Sequence, residues 1–112
     1  MRGGNECGDV VLVVVPGDYG KPRPAVVVQT DLVNDIHSSI VVCPVTSRIQ
    51  DAELFRLTIE PSPNNGLQKT SQIMVDKIVA VRRDKIRDNI GILDEELMIR
   101  LNRSLAFWLG LG

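Results

Sequence analysis

The residue types that most often build catalytic or metal sites are scarce in this sequence. Aromatic residues make up 4% of the 112 residues, and there are two cysteines and one histidine. Cys7 and Cys43 match no CxxC or zinc spacing, and Cys43 lies in an apolar run that predicts a small buried core residue. His37 stands alone as a possible metal ligand. We therefore expect no disulfide, no bound metal and no cofactor.

Long hydrophobic runs are lacking as well. The longest unbroken one covers residues 10–16, far short of the ~20 residues that span a bilayer. Residues 1–8 are polar and glycine-rich, unlike the basic and then apolar start of a signal peptide. We expect no signal peptide, no membrane anchor and a cytoplasmic location. The length is typical of one domain, which we expect to cover residues 1–112.

The sequence has no overall excess of one charge, because its net charge is −1. The charges are unevenly distributed, however. Residues 69–87, called the basic block below, have six Lys and Arg against two Asp and Glu, a local charge of +4. Residues 1–68 have five against eight, and residues 88–112 have two against four. Such a block could bind a polyanion. Charge alone favours the other interpretation, a solvated strand edge that protects a sheet from aggregation.

β-Branched residues dominate the first two-thirds of the chain. Residues 10–15 are apolar at every position, which predicts a strand covered on both faces. Loops rich in Gly and Pro at 16–22 and 61–66 interrupt the pattern. Further strands are predicted at 25–29, 39–45 and 54–59, and one or two more within 72–81, with a bulge or bend at Asp76 and Lys77.

The end of the chain has a helical period. Asp94 is a favourable N-cap, and Leu97, Leu101, Leu105 and Trp108 recur on one face, which predicts a helix of about four turns. Short strands followed by one closing helix predict a mainly β fold, a small, strongly curved antiparallel sheet or partly open barrel. Because a domain this small has few layers to cover an apolar first strand, we expect that strand to form the surface of a homodimer.

Polar side chains at strand ends are the main candidates for chemistry, since no P-loop, dinucleotide fingerprint, zinc signature or nucleophile elbow occurs. Arg23 lies between Pro22 and Pro24, whose rings restrict its backbone. Thr46, Ser47 and Arg48 follow the third strand. Hydroxyl groups beside a guanidinium suit a phosphate, because Arg can engage two oxygens at once. In most proteins, however, such a pattern reflects an Arg that anchors a loop and a Thr-Ser pair that forms a turn.

The order of several short motifs is more specific than any one of them. They are Gly8-Asp9-Val10-Val11, Arg23-Pro24-Ala25-Val26-Val27, Pro44-Val45-Thr46-Ser47 and Ser71-Gln72-Ile73-Met74-Val75-Asp76, followed by the helix. In this order the chain resembles the MazF/PemK family of toxin endoribonucleases. The resemblance implies a compact SH3-like barrel, a homodimer and metal-independent cleavage of single-stranded RNA by attack of the 2′-hydroxyl. It also implies inhibition of translation and growth, and neutralisation by a cognate antitoxin encoded beside the toxin.

The resemblance also implies which residues act. The catalytic Arg of the family's R-P motif falls on Arg23, and the catalytic Thr of its V-T motif falls on Thr46. Some relatives have a second Arg where this chain has Met74, so Asp76 is a secondary candidate. Lys21, Ser47, Lys69, Ser71 and Asp76 are the candidate RNA-binding residues. For Ser47, Lys69 and Ser71, turn capping or surface solubility is an equally favoured interpretation.

A CcdB-like gyrase poison without nuclease activity is the alternative function. That family is similar at its tail, where a Trp-Gly dipeptide ends the helix. Here the dipeptide is interrupted, because Leu109 separates Trp108 from Gly110. Trp108 also falls on the apolar helix face, where packing is the simpler role. A peptide-binding SH3-like adaptor is less favoured still, because such grooves are lined by aromatic residues.

Overall fold

Antiparallel strands form most of the chain before its C-terminal helix. The computed structural model describes residues 5–33 and 36–111, so the ends of the expected domain 1–112 and the start of the polar N-terminal segment lie outside the described residues. The strands are β1 (Asp9–Val13), β2 (Arg23–Val27), β3 (Ser39–Thr46), β4 (Arg56–Ile59), β5 (Ser71–Met74), β6 (Val79–Arg82) and β7 (Ile86–Ile92). Helix α1 covers Glu95–Trp108, and 3-10 turns lie at Val75–Lys77 and Arg83–Lys85.

The longest strand, β3, organises the sheet. One edge of β3 pairs with β2, while its other edge pairs with β6 along Ser39–Val42 and then with β5 at Val45 and Thr46. The full strand order is β4-β5-β3-β2-β1-β7, with β6 on β3. The predicted bend at Asp76 is the 3-10 turn by which the chain passes from β5 to β6. The strands described here curve strongly without closing, which confirms the mainly β class with a curved antiparallel sheet.

The two faces of the curved sheet build two separate cores. Val10 packs in a larger core with Val26, Ile73 and Leu101 of the helix. Its neighbour Val11 packs in a second core, and because successive side chains of a strand point to opposite faces, one strand serves both. The expectation that apolar β1 is a dimer surface is therefore wrong: the core positions of β1 are fully buried within one chain.

The predicted C-terminal helix is confirmed, as is its cap. The Asp94 carboxylate accepts a hydrogen bond from the Leu97 backbone N–H at 2.8 Å, which satisfies a donor that has no partner within the helix. Leu101 is fully buried against the sheet. The Trp108 ring lies 5.2 Å from the Phe55 ring, so it packs on its own domain while remaining partly exposed. No helix in the described part of the chain has the length and apolarity to cross a membrane.

Strand β7 was not expected from the sequence. It pairs with β1 through two register irregularities, and most of its residues are polar or exposed, so it lacks the alternating apolar pattern. Close backbone contacts hold β7 in place. At Gly91 the neighbouring loop leaves no room for a side chain, because a Cβ there would lie 2.3 Å from the Asn64 carbonyl oxygen. A Cβ on Gly66 would lie 2.1 Å from the Ile90 carbonyl oxygen. The loop before β5 therefore packs directly on the backbone of β7, and this contact forms one wall of the groove described next.

Candidate active site

A groove of about 450 Å³ lies where β2 begins and β3 ends. It contains five of the predicted site residues: Arg23, Thr46, Ser47, Lys69 and Ser71. Its other lining residues come from β1, β2, β3, β7 and the loops before β2 and β5. They are Leu12, Pro22, Pro24, Val45, Gly66, Leu67, Gln68 and Ile90. The groove thus has an aliphatic floor with two cationic and three hydroxyl side chains on it.

The groove exists because β2 and β3 separate at Pro24. The Val28 N–H donates to the Val41 carbonyl at 3.0 Å, so by alternation Val26 and Pro24 also turn their backbone groups toward β3. Proline has no N–H to donate, and the pairing of these strands stops at Ala25 with Pro44. The end of β3 stays paired with β5 on its other edge. Arg23 and Thr46 therefore flank the gap between two diverging strands.

The Arg23 guanidinium is held by Asp18 from the preceding loop. Its Nε and Nη2 atoms donate to the two Asp18 carboxylate oxygens at 2.5 and 2.8 Å. A guanidinium has five N–H donors, so three remain for a ligand. Sequence reasoning did not identify Asp18 as an Arg23 partner. The signal available was an acidic residue five positions before Arg23, across a Gly- and Pro-rich loop that can fold back on itself.

Thr46 is half-buried, and its hydroxyl has one hydrogen-bond partner among the described residues. Its Oγ1 accepts a hydrogen bond from the Arg48 backbone N–H at 3.1 Å, which caps the end of β3. Thr46 therefore does stabilise the turn after β3, but this role uses only one lone pair of its hydroxyl oxygen. The hydroxyl hydrogen remains able to donate to a phosphate oxygen in the groove. Ser47, next along the chain, is exposed at the rim.

Lys69 and Ser71 lie just before and at the start of β5, next to Gln72, the strand partner of Thr46. Ser71 is nearly buried and donates its hydroxyl hydrogen to the Lys69 carbonyl at 2.8 Å, so it shapes the loop. Lys69 is exposed, with no ion-pair partner among the described residues. Of the two, only Lys69 offers a charge to a ligand.

Two predicted site residues, Lys21 and Asp76, lie outside this groove. Lys21 is exposed in the loop before β2. Asp76 accepts hydrogen bonds at 2.7 and 2.9 Å from Arg56, and the two side chains are only 13% and 7% exposed. The hydrogen bonds from Arg56 lower the pKa of Asp76 below its ordinary value. Asp76 lines a separate depression of about 560 Å³, which Arg23 borders from the other side.

Four cations of the basic block line depressions next to the loop that precedes Arg23. Lys69 lies in the groove, Lys77 in the Asp76 depression, and Arg82 and Lys85 in a third depression beside residues 14–20. Arg83 differs from the others, because its Nε donates to the His37 carbonyl and its Nη2 is buried with no hydrogen-bond partner among the described residues. Arg82 pairs with Asp84 at the surface. The block is therefore a set of cations around one loop and not a continuous strand edge.

The remaining titratable groups offer little other chemistry. Burial raises the pKa of the Cys43 thiol to about 12, so it remains protonated at neutral pH. Burial and the nearby Asp31 carboxylate also raise the pKa of Cys7. Within residues 5–33 and 36–111 no three His, Cys, Asp or Glu side chains lie close enough together to hold a metal ion. The groove is suited to bind a phosphate and to stabilise negative charge that develops on it.

Comparison with known families gives one match over nearly the whole chain. Residues 6–109 match the model of the PemK-like, MazF-like toxins of type II toxin–antitoxin systems. A probable endoribonuclease MazF of Mycolicibacterium smegmatis is 39% identical over 106 residues, which cover 94% of this chain and 96% of that protein. The endoribonuclease EndoA of Bacillus subtilis is 29% identical over 98 residues, covering 88% and 84%. The matched family is the one suggested by the motifs, and the gyrase-poison alternative is not favoured.

Solved structures share the fold at lower sequence identity. A mycobacterial endoribonuclease in complex with its cognate antitoxin superposes with a TM-score of 0.81 at 21% identity, over 96% of both chains. A MazE–MazF structure from Deinococcus radiodurans has a TM-score of 0.79 at 19% identity, over 99% of this chain and all of that one. At these identities the likeness shows the fold, including the C-terminal helix packed on a curved sheet.

Proposed function

The chain belongs to the PemK-like, MazF-like toxins of type II toxin–antitoxin systems, and we propose that it is an endoribonuclease that cleaves single-stranded RNA in the groove between Arg23 and Thr46. The substrate class is mRNA, whose cleavage would stop translation and growth. Residues 1–112 act as one toxin domain, and the cytoplasm, where mRNA is translated, is the place of action. No metal ion or cofactor takes part in the proposed reaction.

The observation that carries this proposal is the convergence of chain-distant polar groups on one groove. Arg23, Thr46 and Lys69 come from three separate segments, and the strand separation at Pro24 leaves all three facing the same space. Two cations and a free hydroxyl hydrogen match the non-bridging oxygens of a phosphodiester. The aliphatic floor can carry ribose and base surfaces.

In the proposed reaction the ribose 2′-oxygen bonds to the adjacent phosphorus and the bond from phosphorus to the 5′-oxygen breaks. The 2′-hydroxyl gives up its proton, and the departing 5′-oxygen takes one up. Negative charge builds on the non-bridging oxygens, and donors already aimed at that charge lower the barrier. Arg23 supplies this stabilisation with the three N–H groups that Asp18 leaves free. It is no ordinary base, because a guanidinium stays protonated.

Thr46 and Asp18 have supporting parts in this scheme. Thr46 donates its hydroxyl hydrogen to a phosphate oxygen or orients the 2′-hydroxyl, while the Arg48 N–H fixes the position of its oxygen. Asp18 fixes the plane of the Arg23 guanidinium before RNA arrives, so little reorganisation is needed on binding. Ser47 and Lys69 contact neighbouring phosphates or bases, and Ser71 holds the Lys69 loop in place.

The ends of the RNA fragments test this function directly. Purified protein in excess EDTA should cleave single-stranded RNA and leave a 2′,3′-cyclic phosphate and a 5′-hydroxyl, because the attacking oxygen belongs to the substrate. An oligonucleotide with a single 2′-deoxy substitution at the scissile position is the matched control and should stay intact. Fragments with 5′-phosphates, or cleavage that EDTA abolishes, would contradict the proposed chemistry.

The proposed assembly is a homodimer, although β1 does not form its surface. Large apolar side chains are exposed at the end of α1, among them Phe107, Trp108, Leu109 and Leu111, and Leu54 is exposed beside Phe107. A contiguous exposed apolar patch of this kind is typical of an interaction surface. Light scattering at micromolar concentration should give twice the 12.4 kDa of one chain. A mass of one chain would count against the dimer.

The proposed inhibitor is a cognate antitoxin whose acidic and apolar side chains cover the groove and the basic block. Lys69, Arg82 and Lys85 of the block line depressions next to the loop that precedes Arg23. An acidic segment bound there would therefore exclude RNA. Neutralising Arg82 and Lys85 together should weaken both RNA and antitoxin binding by about three- to tenfold, as expected for exposed charges. Arg83 is left unchanged, because its guanidinium ties β6 to His37.

The matched control neutralises Arg100 and Arg103, two exposed arginines on α1 that form no ion pair among the described residues. Both line the depression that contains Leu54 and Phe107, so light scattering must first show that this variant keeps the mass of the wild type. It makes the same change in net charge away from the groove. Both affinities should stay near those of the wild type. Equal affinities in the two double variants, measured by titration at fixed salt, would show that the basic block is a solubility feature.

A further inference from the structure

Tyr19 is the most exposed large hydrophobic side chain in the described part of the molecule, at 98%. Its backbone φ is +53°, the one positive value among described residues other than glycine. Side chains with a Cβ rarely adopt this conformation, because it brings Cβ close to the backbone, and such strain clusters at functional sites. Gly17 and Gly20 on either side also have positive φ, so a third glycine would be the relaxed choice.

Hydrogen bonds on both sides of Tyr19 fix the backbone of this loop, while the ring is exposed. Asp18, next to Tyr19, accepts two hydrogen bonds from Arg23. The Asp18 N–H donates to the Val15 carbonyl at 3.3 Å, and the Lys21 N–H donates to the Asp18 carbonyl at 3.0 Å. These contacts fix the chain on both sides of Tyr19 while the ring itself touches water. A rigid, exposed aromatic ring has little entropy to lose when a flat ligand stacks on it.

Basic side chains lie on two sides of the ring, and two of them, Arg23 and Arg82, are paired with Asp18 and Asp84. Tyr19 lines a depression of about 320 Å³ together with Lys21 and Arg23. It also lines the depression of about 600 Å³ that contains Arg82 and Lys85. The ring therefore stands on the rim between the Arg23 site and the far part of the basic block. Alternation of positive charge, aromatic ring and positive charge matches the alternation of phosphate, base and phosphate in a single strand.

We infer that Tyr19 is a stacking platform for the nucleobase next to the scissile phosphate, with Lys21 and Lys85 facing the phosphates that flank that base. This inference rests on the proposed endoribonuclease function. The ring offers a face and no hydrogen-bond pattern for a base edge, so the site accepts any base and contributes affinity. Recognition of a particular base is left to the groove around Thr46.

Three proteins and one kind of RNA test the site. The RNA is a single-stranded oligonucleotide with 2′-deoxyribose at the scissile position, so that it binds without being cleaved, and 2-aminopurine is placed at each position in turn. Replacing Tyr19 with Gly removes the ring and relieves the positive φ, so folding stability should be kept or increased. The conservative variant Tyr19→Phe keeps the ring. Wild type is the third protein.

Tyr19→Gly should raise the Kd for this RNA about ten- to hundredfold, the usual range for losing one stacked base, and Tyr19→Phe should stay close to wild type. With cleavable RNA, KM should rise and kcat should change little, because the stacked base is bound equally in the ground and transition states. Wild type and the Phe variant should quench 2-aminopurine at one position beside the scissile phosphate, and the Gly variant should not.

Three results would overturn the assignment. If wild type cleaves RNA and the Gly variant binds it equally well, the Tyr19 site fails and the proposed function stands. If the Gly variant loses only affinity for antitoxin, the ring belongs to a protein interface and not to an RNA site. If wild type neither binds nor cleaves single-stranded RNA, the proposed function fails and the Tyr19 site with it.

Discussion

Replacing Arg23 with Ala should lower the single-turnover rate of RNA cleavage about 10²–10³-fold, which corresponds to roughly 3–4 kcal/mol of lost transition-state stabilisation. Arg23 is the one guanidinium lining the groove, so no neighbouring group of the same kind can replace its donors. Its side chain is partly exposed and lies at the start of β2. The variant should therefore fold as the wild type does.

The control for this variant is Arg100→Ala, which removes the same charge from an exposed position on α1. It is used after light scattering shows that its mass equals that of the wild type, because Arg100 lies in the depression with Leu54 and Phe107. Its cleavage rate should match that of the wild type, and so separate loss of the guanidinium in the groove from a change in net charge. Arg23→Lys is a second comparison. A lysine keeps the charge but cannot hold Asp18 through two parallel hydrogen bonds while it donates to phosphate. Its rate should lie much closer to that of Arg23→Ala than to wild type.

Replacing Asp76 with Ala should lower the free energy of unfolding by about 3–5 kcal/mol, because it leaves the nearly buried Arg56 guanidinium without its partner. Burying a charge without compensation is among the costliest single changes in a folded protein. Urea unfolding followed by circular dichroism would measure the loss. A change of less than about 1 kcal/mol would mean that water can reach Arg56 and that the pair is effectively at the surface.

The Asp76 carboxylate also predicts a dependence on pH. Its pKa in the folded protein is lower than the ordinary 3.8, chiefly because Arg56 donates hydrogen bonds to it. The stabilisation from the charged form is therefore complete above the unfolded-state pKa and is lost as the pH falls through the lower folded-state pKa. The difference in stability between wild type and Asp76→Ala should accordingly be constant near neutral pH and shrink in strong acid.

A double replacement separates this structural role from an RNA-binding one. Arg56→Met combined with Asp76→Leu removes both charges from the pair, which is often neutral or stabilising in other proteins. It should recover most of the stability that Asp76→Ala loses. If the recovered protein cleaves RNA at the wild-type rate, Asp76 is not required for the reaction. A folded double variant with weak RNA binding would support the interpretation of Asp76 as an RNA contact.

The strands and the helix that could be predicted are those with a regular apolar pattern. Residues 10–15 and 39–45 are runs rich in β-branched residues and are bounded by polar or turn-forming residues. The helical period of Leu97, Leu101 and Leu105 identifies α1. Strand β7 could not be predicted in this way. It is held by its pairing with β1 and by the close approach of Gly66 and Gly91 to neighbouring backbone, and these contacts leave no alternating pattern in the sequence.

The dimer surface was misplaced for a related reason. A strand that is apolar on both faces predicts that both faces are covered, and the covering can come from the same chain or from another. Here the sheet curves enough that Val10 and Val11 enter two cores of one chain. The sequence pattern contains no information on curvature, which depends on bends such as the turn at Val75–Lys77 between β5 and β6.

The groove residues that belong to a short motif could be predicted from the sequence. The partners that they meet from distant parts of the chain could not. Arg23 stands between two prolines at the start of a strand, Thr46 follows Pro44 by two residues at the end of another, and the order of the motifs pointed to both. The partner of each arginine was missed. Asp18 reaches Arg23 because the loop folds back, and Asp76 reaches Arg56 across β4 and β5, 20 residues away in sequence. Nothing in local composition indicates which carboxylate meets which guanidinium.

The most direct test of the proposed site is the single-turnover rate of RNA cleavage by Thr46→Val in EDTA. The substitution keeps the β-branched shape and removes only the hydroxyl. The backbone N–H of exposed Arg48, which donates to this hydroxyl in the wild type, can donate to water in the variant. A folded Thr46→Val protein that binds RNA should cleave it about 10²-fold more slowly than wild type, as expected for the loss of one donor to the developing charge. Cleavage at the wild-type rate would contradict the assignment of this hydroxyl, and if Arg23→Ala did the same, the groove would not be the active site.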